Sequence, residues 1–431
     1  MKLLPLITSQ ITNSFNDNAF KNAFIILLTF KLAKINNLDA QLIITIASSL
    51  FIIPFLIFSG LISQIVNKFS KSLAIKCGKI LEVALVIIAS FAFYYSNIAI
   101  LLMLFFLMGL NSVIFTIAKY SLIPESFKKE DLSLVNGIME GFAFIFILVG
   151  NAFGGIFINN DNGVIIISIA IIFTAIIGLI SSLFIPNSIN DQNLKINYNI
   201  FANNKQIIIA AKNNKNIWRL LLLLGWFWFV AIIFLSQFPI FTKNIIHGNE
   251  ELVIMFFMIF SLSIAIGSAI CGKIKELSKL KEAISISLIG IFIGLLIFIV
   301  GILLYENYQL PKIILSNGSE YLLSMLEFIK LPIAMIIIVG LIISALFCGI
   351  YTIALYSLIQ SNNQVSKIAD FIATSNVINA IFMILATSSI TIMNLLKVEL
   401  ATIFILLAML HMIIFIIFSF SNSQKIPKKI I

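Results

Sequence analysis

About twelve apolar stretches follow one another along this chain of 431 residues, and each is long enough to cross a bilayer as a helix. The composition is 61% hydrophobic and only 11% charged, whereas a water-soluble domain is about 25% charged. The sequence therefore predicts an all-α membrane protein with about twelve transmembrane helices. The expected spans lie near residues 4–33, 40–66, 76–95, 98–122, 132–158, 163–185, 217–242, 251–273, 282–304, 332–359, 366–394 and 398–420.

An octapeptide near the end of the fourth predicted span returns in the tenth. Thr116–Ile123 and Thr352–Ile359 are identical at seven of eight positions and lie 236 residues apart. Such self-similarity predicts two copies of one membrane unit in the same orientation. The only difference sets Lys119 against Leu355, so a charge is present in one copy alone. We expect an N-terminal six-helix bundle at 1–186, a cytoplasmic linker at 187–216 and a C-terminal six-helix bundle at 217–431.

The lysines indicate how the chain is oriented. With a cytoplasmic N-terminus, 20 of the 28 basic residues lie on the inside, Lys79 among them, and six lie outside. This distribution fits the positive-inside rule with both termini in the cytoplasm. It also accounts for the net charge of +10 without nucleic acid, because these lysines can face anionic lipid headgroups.

Residue types that carry catalysis or bind metals are scarce. The three cysteines are far apart and the two histidines are isolated, so neither a disulfide, a metal site nor a histidine dyad is expected. No His-x4-Asp acyltransferase signature is present. The sequence predicts a protein that is not an enzyme and needs no cofactor. Asp17 and Lys21 in the first apolar segment argue against a cleaved signal peptide.

The first predicted span carries the candidate residues Asp17, Asn18 and Lys21. Asp17 and Lys21 are four residues apart, hence on one helix face and able to pair. A charge near the membrane centre costs about 2.5–3.5 kcal/mol on insertion scales, so these side chains should face the bundle interior. One interpretation is a buried ion pair that only fixes packing. The other is a polar cavity wall in which Asp17 binds a cation or proton, or is the counter-ion of Lys119.

Lys119 and Glu140 are the other candidate charges inside spans. Lys119 can snorkel to the cytoplasmic headgroups, or it can bind an anionic headgroup as a point charge. Glu140 can be its partner, and the second repeat has Ala380 at the corresponding place. Glu82 and Asp370 are interpreted as structural or interfacial.

Two further patterns have a packing or anchoring interpretation beside a functional one. Gly150, Gly154 and Gly155 in the fifth span partly match a drug/proton antiporter signature without its proline, and favour close helix packing instead. Trp226 and Trp228 in the seventh span are either interfacial anchors or part of an acyl-chain path.

Several segments together resemble the lysophospholipid transporter branch of the major facilitator superfamily. They are FNDNAFKNAF, FIIPFLIFSGLISQIVNKFSKS, AKYSLIPE, VNGIMEG, GWFWF with LSQFP, and LYSLIQ with NVINAIFM. The branch includes the transporter halves of bacterial fusions with 2-acylglycerophosphoethanolamine acyltransferase. The resemblance implies the major facilitator fold and movement of lysophosphatidylethanolamine across the bacterial inner membrane. A separate cytoplasmic acyltransferase would then be the partner, because this chain contains no such domain.

By motif, Asp17 and Lys119 match the functional acid and lysine of this branch, and Glu140 matches its span-5 acid. The chain departs from the superfamily signature G-x-L-A-D-R-x-G-R between spans 2 and 3, which here reads SQIVNKFSK. Both glycines and the acid are missing. Because Asp17, Lys119 and Glu140 all lie in the first half, we expect the N-terminal bundle to hold the headgroup. The C-terminal bundle, poorer in buried charge, should mainly supply an apolar wall.

Two other function classes stay open at this stage. An antiporter for a drug or small metabolite would use Asp17 or Glu140 to carry protons. A scaffold or receptor that transports nothing fits poorly with duplicated bundles that differ in their buried charges.

Overall fold

The computed structural model describes residues 3–29, 40–188, 190–308, 322–362, 364 and 367–423. The regular elements of these residues are helices, which confirms the predicted all-α architecture. In chain order they are α1 (Leu3–Leu27), α2 (Ala40–Ile57), α3 (Ser59–Phe69), α4 (Lys71–Tyr94), α5 (Ile98–Ser126), α6 (Leu132–Ile158), α7 (Gly163–Leu183), α8 (Ile200–Lys212), α9 (Lys215–Phe241), α10 (Glu250–Gly272), α11 (Leu277–Asn307), α12 (Met325–Lys330), α13 (Pro332–Gln360), α14 (Ile368–Leu395) and α15 (Leu400–Ser423).

Within these ranges, nine helices are long and apolar enough to cross a membrane, and ten if α2 and α3 form one bent span. The two remaining spans of the predicted twelve correspond to α1 and α4. These helices have 25 and 24 residues and carry charged side chains along their length. The short helix α12 precedes α13, and residues 309–321 lie outside the described residues.

The second predicted span is broken at Phe58, where α2 and α3 meet at an angle of 57°. The side chain of Asn204, from α8, bonds to both sides of this break. Its amide nitrogen donates to the carbonyls of Leu56 and Ile57 at 2.9 and 2.8 Å, and its oxygen accepts from the Gly60 N–H at 2.9 Å. One primary amide can thus satisfy backbone groups that a continuous helix would pair internally.

The predicted polar linker therefore contains a helix that packs on α3. Gly60 permits the approach, because a Cβ atom there would lie 2.7 Å from the backbone of Asn203. Gln64 donates to the Asn203 side chain at 2.9 Å and accepts from the Asn197 N–H at 2.9 Å. The linker sequence thus stabilises the broken span as well as connecting two halves.

We expect Asn204→Ala to lower the free energy of unfolding by about 1–3 kcal/mol, the usual cost of leaving buried polar groups unpaired. The measurement is the thermal unfolding midpoint of the detergent-purified protein. Gln206→Ala, on the exposed side of α8, is the matched control and should leave the midpoint unchanged. Equal midpoints for the two variants would contradict the role of Asn204.

The loop between α3 and α4 has a positive φ angle at a position where the superfamily signature has a glycine. Ser70 stands where the signature has its second glycine and adopts φ 87°, a region that favours glycine. Its hydroxyl accepts from the Leu73 N–H at 3.3 Å and caps α4. Next to it, Lys71 and Glu125 form an ion pair of 2.8 Å, with each side chain 5% exposed.

Contacts divide the chain into two units: Met1–Gly225 with Tyr356–Ile381, and Trp226–Leu355 with Phe382–Ile431. In the first unit α1 packs against α6 and α7, and α4 packs against α5 and α7. A Cβ atom at Gly150 would lie 2.6 Å from the Phe15 carbonyl oxygen, and Gly154 meets the backbone of Ala19 as closely. The packing interpretation of these glycines is confirmed.

The second unit has a core of phenylalanines whose rings meet at tilted or edge-on angles. Phe234 contacts Phe238, Phe260, Phe298 and Phe404 at centroid distances of 5.2 to 5.9 Å. Beside this core, Trp226 donates from its indole to His411 Nδ1 at 2.9 Å, and His411 bonds in turn to the Leu288 carbonyl. Trp226 is therefore buried inside the protein, which contradicts its interpretation as an interfacial anchor, whereas Trp228 is half-buried. A role of these tryptophans in an acyl-chain path stays a prediction.

Candidate functional site

A polar stripe runs along α1 inside the first unit. Asn13 and Ser14 follow Gln10 by three and four residues, and Asp17 and Lys21 lie seven and eleven residues after Gln10, which places all five on one face of the helix. Asn13, Ser14 and Gln10 are buried, while Asp17 and Lys21 are half-buried. Two neighbouring helices, α5 and α6, contribute the charges that meet this stripe.

Lys119 of α5 is buried and its charge is compensated locally. Its ammonium donates to Gln10 Oε1 at 2.8 Å and to Glu140 Oε1 at 3.2 Å. The side chains of Lys119 and Glu140 are 4% and 14% exposed. Removing one partner from such a pair would leave an uncompensated buried charge. Lys119 therefore bonds inside the bundle, which contradicts the snorkelling interpretation and confirms Glu140 as its partner.

Tyr120 links this ion pair to the second copy of the octapeptide. Its hydroxyl donates to the same Glu140 oxygen, and the Lys119 ammonium lies 3.9 Å from the centroid of its ring. The Tyr120 ring stacks on Tyr356 with centroids 4.3 Å apart and planes inclined by 6°. The two tyrosines occupy the same position in the two repeats. We call Gln10, Lys119, Tyr120 and Glu140 the Lys119 cluster.

Hydrogen bonds from α13 hold the backbone of this cluster. Gln360 donates to the Tyr120 carbonyl at 3.1 Å and accepts from Asn136 of α6 at 2.6 Å. Asn136 also approaches Ser357 at 3.3 Å. Both copies of the octapeptide thus contribute residues, Tyr120 and Ser357, to one network.

Asp17 lies two helical turns from the Lys119 cluster and accepts hydrogen bonds through one oxygen. Ser112 of α5 donates to Asp17 Oδ2 at 2.6 Å, and Asn13 donates to it at 3.1 Å. Asn18, a predicted site residue, donates to the Ser14 carbonyl of its own helix at 2.7 Å.

Lys21 does not form the ion pair with Asp17 that its spacing permits: the described residues hold no such contact within 4.0 Å. Its ammonium lies instead over the Phe51 ring, 3.9 Å from the centroid. The physical reason is that Ser112 and Asn13 already satisfy the Asp17 oxygen, while the Phe51 ring offers the lysine a cation–π contact.

The buried ion pair of Lys79 and Glu82 was missed by the sequence analysis. Lys79 was assigned to the cytoplasmic surface, but it lies more than two turns inside α4 and is 1% exposed. It bonds to Glu82 at 2.6 Å and to Thr12 at 3.1 Å, and Asn16 donates to the other Glu82 oxygen at 2.6 Å. The three-residue spacing of Lys79 and Glu82 is the signal that could have revealed it.

The Lys119 cluster and Asp17 mark the ends of one polar track. Gln10 and Asp17 are seven residues apart on α1, and Ser112 and Lys119 are seven apart on α5. At 1.5 Å per residue, the track is about 10 Å long. It presents an ammonium at one end and a carboxylate at the other, with amides and hydroxyls of Asn13 and Ser14 between them. Such a track can bind a ligand that carries both an anionic and a cationic group.

The sequence profile of the Major Facilitator Superfamily matches residues 6–387. Similar solved structures include a bacterial homologue of the iron transporter ferroportin in an outward-facing state, at TM-score 0.71 and 12% identity, over 97% of this chain and 99% of that one. The human organic anion transporter MFSD10 (TETRAN) matches at TM-score 0.72 and 10% identity, over 97% and 100%. The E. coli fucose:proton symporter FucP matches at 0.66 and 12%, over 97% and 99%.

Among curated proteins, none matches the sequence. The identities to the solved structures are low, so these neighbours establish the fold of the chain and not its substrate.

Proposed function

Because this chain belongs to the Major Facilitator Superfamily and is a membrane transporter, we propose that its cargo is a lysophospholipid of the lysophosphatidylethanolamine type. The transporter would move this lipid across the bacterial inner membrane by alternating access, with both termini in the cytoplasm. The observation that carries the proposal is the buried Lys119, held at one end of a polar track whose other end is Asp17.

Lys119 is the proposed phosphate ligand. Among the described residues its oxygen acceptors are Gln10 and Glu140, whereas an ammonium has three N–H donors. A phosphate oxygen can therefore bind Lys119 without displacing both partners. Glu140 is the more exposed member of the pair. It would keep the hydrogen bond from the Tyr120 hydroxyl when the Lys119 ammonium binds a phosphate.

Asp17 is the proposed ligand of the ethanolamine ammonium. Among the described residues no side chain donates to its second carboxylate oxygen, and Asp17 lies half-buried on the face of α1 that the track occupies. A zwitterionic headgroup would then meet a cation and an anion at opposite ends of the track, which matches the order of its own charges. Membrane lipids surround the protein, and a separate cytoplasmic acyltransferase is the proposed consumer of the imported lipid.

The test is uptake of fluorescent lysophosphatidylethanolamine by spheroplasts of a strain that lacks its own lysophospholipid uptake. Albumin washes remove lipid from the outer leaflet, so the albumin-resistant and reacylated fractions report transport. We expect both fractions to rise several-fold over the empty-vector control. If uptake is the same with and without the protein, the lipid cargo is wrong.

One observation favours a second candidate, an antiporter for a drug or small metabolite. Asp17 is a half-buried carboxylate with two neutral hydrogen-bond donors, an environment in which it can gain and lose a proton. Ethidium efflux that depends on a proton gradient and is lost in Asp17→Asn, without lysophospholipid uptake, would favour this candidate.

A further inference from the structure

α8 is a short helix that sits at the entrance to a membrane span. It ends at Lys212 and α9 begins at Lys215, so three peptide steps separate them. At no more than about 3.6 Å per residue, this link spans roughly 11 Å at most. The C-terminal end of α8 must therefore lie close to the membrane boundary.

One face of α8 is fixed to the protein. Asn203, Ile207 and Ala211 are buried, and Asn203 and Asn204 bond to α3 and to the break beside it. The helix therefore cannot turn freely about its axis, and its opposite face is presented outward in a defined orientation.

The outward face alternates large apolar residues with lysines. Phe201, Lys205, Ile209 and Lys212 follow at spacings of four, four and three residues, which puts them in one row. Phe201 is 75% exposed and Ile209 47% exposed. Tyr198, just before the helix, is 79% exposed and extends the same apolar surface.

Along the chain, the charge on both sides of α8 has one sign only. From residue 192 to residue 249 the sequence has no aspartate or glutamate. The same segment carries Lys195, Lys205, Lys212 and Lys215, all of them exposed. Lys212 also lies over the Trp218 ring, 5.1 Å from its centroid, which keeps an aromatic residue beside the basic row.

We propose that α8 lies in the headgroup layer of the membrane and binds anionic phospholipid headgroups through its exposed lysines. Phe201 and Ile209 insert at the boundary between headgroups and acyl chains, and the lysines extend from this depth to lipid phosphates. Exposed aromatic and aliphatic residues beside a purely basic charge are the composition of helices that bind anionic leaflets. The inference is independent of which cargo the transporter carries.

The proposal is tested with fluorescent NBD probes on single cysteines in the full-length protein, reconstituted in nanodiscs. Ile209→Cys and Phe201→Cys are labelled in a chain in which the exposed Cys77 is replaced by serine, since Cys271 and Cys348 are buried. Gln192→Cys, exposed in the linker before the helix, is the control. A spin label in the upper acyl chain should quench the probes at 201 and 209 at least twofold more than the probe at 192.

Lipid selectivity is measured at the same probe. Spin-labelled phosphatidylglycerol should quench the probe at 209 more than spin-labelled phosphatidylcholine does at equal mole fraction. The ratio of the two should fall toward one in Lys195→Gln/Lys205→Gln and stay unchanged in Lys243→Gln, which lies outside α8. Equal quenching of all three probes, or a ratio of one in the native sequence, would overturn the proposal.

Discussion

Replacement of Lys119 by leucine, which makes the first octapeptide identical to the second, is expected to lower lysophospholipid uptake by about tenfold or more. A hydrogen bond to a charged group is worth about 1.5–3 kcal/mol, and 1.4 kcal/mol corresponds to a factor of ten. The measurement is the initial rate of albumin-resistant uptake below saturation. Lys279→Leu removes a lysine from an exposed ion pair with Glu276 and is the control, expected to transport normally.

Lys119→Leu also leaves Glu140 without its cation, which can destabilise the fold by about 3–5 kcal/mol. The double variant Lys119→Leu/Glu140→Gln removes both charges and separates a lost site from a lost fold. If this variant folds and still imports lysophosphatidylethanolamine at the native rate, Lys119 does not bind the headgroup. If the native protein itself imports no lysophosphatidylethanolamine, the proposed substrate is wrong, and the site around Lys119 would bind a different ligand.

Gly154→Val is expected to destabilise the protein by separating α1 from α6. Gly154 of α6 meets the backbone of Ala19 so closely that no Cβ atom fits unless the helices separate, and Gly150 meets Phe15 one turn earlier. Overpacking of a well-packed core costs about 1–3 kcal/mol, and backbone atoms cannot relax as a flexible side chain does. We expect a loss at the upper end of this range.

The measurement is the thermal midpoint of detergent-purified protein, followed by size-exclusion chromatography after heating. Gly154→Ala should fall between the native protein and Gly154→Val. Val149→Leu enlarges an exposed residue of the same helix and should leave the midpoint unchanged. If Gly154→Val is as stable as Val149→Leu, the close approach of α1 and α6 is not required for the fold.

The elements that the sequence predicted well are those set by local composition. Apolar runs of about 20 residues must form helices in lipid, because backbone groups have no water to bond there. For the same reason, charges inside such runs had to face other helices, and Lys119 and Glu140 do meet. The predicted domain boundaries at 186 and 217 stay a prediction.

The partners of the candidate residues were less predictable. The spacing of Asp17 and Lys21 permits an ion pair, but Ser112 of α5 and Phe51 of α2 bind these side chains instead. Gln10 was not singled out, although it follows the same helical stripe as Asp17. Lys79 was assigned to the surface because a lysine near a predicted helix end is usually solvated, whereas α4 begins earlier and buries it against Glu82.

The sequence by itself determined that this chain is a helical membrane protein with a duplicated plan, because hydropathy and repetition are properties of residue order. Only the tertiary structure decided which side chains meet. Tyr120 and Tyr356 are 236 residues apart and stack, and Asn204 reaches a helix break 144 to 148 residues away in sequence. Such contacts depend on how helices pack, and packing in lipid is fixed by shape and hydrogen bonding between distant segments, which no local pattern encodes.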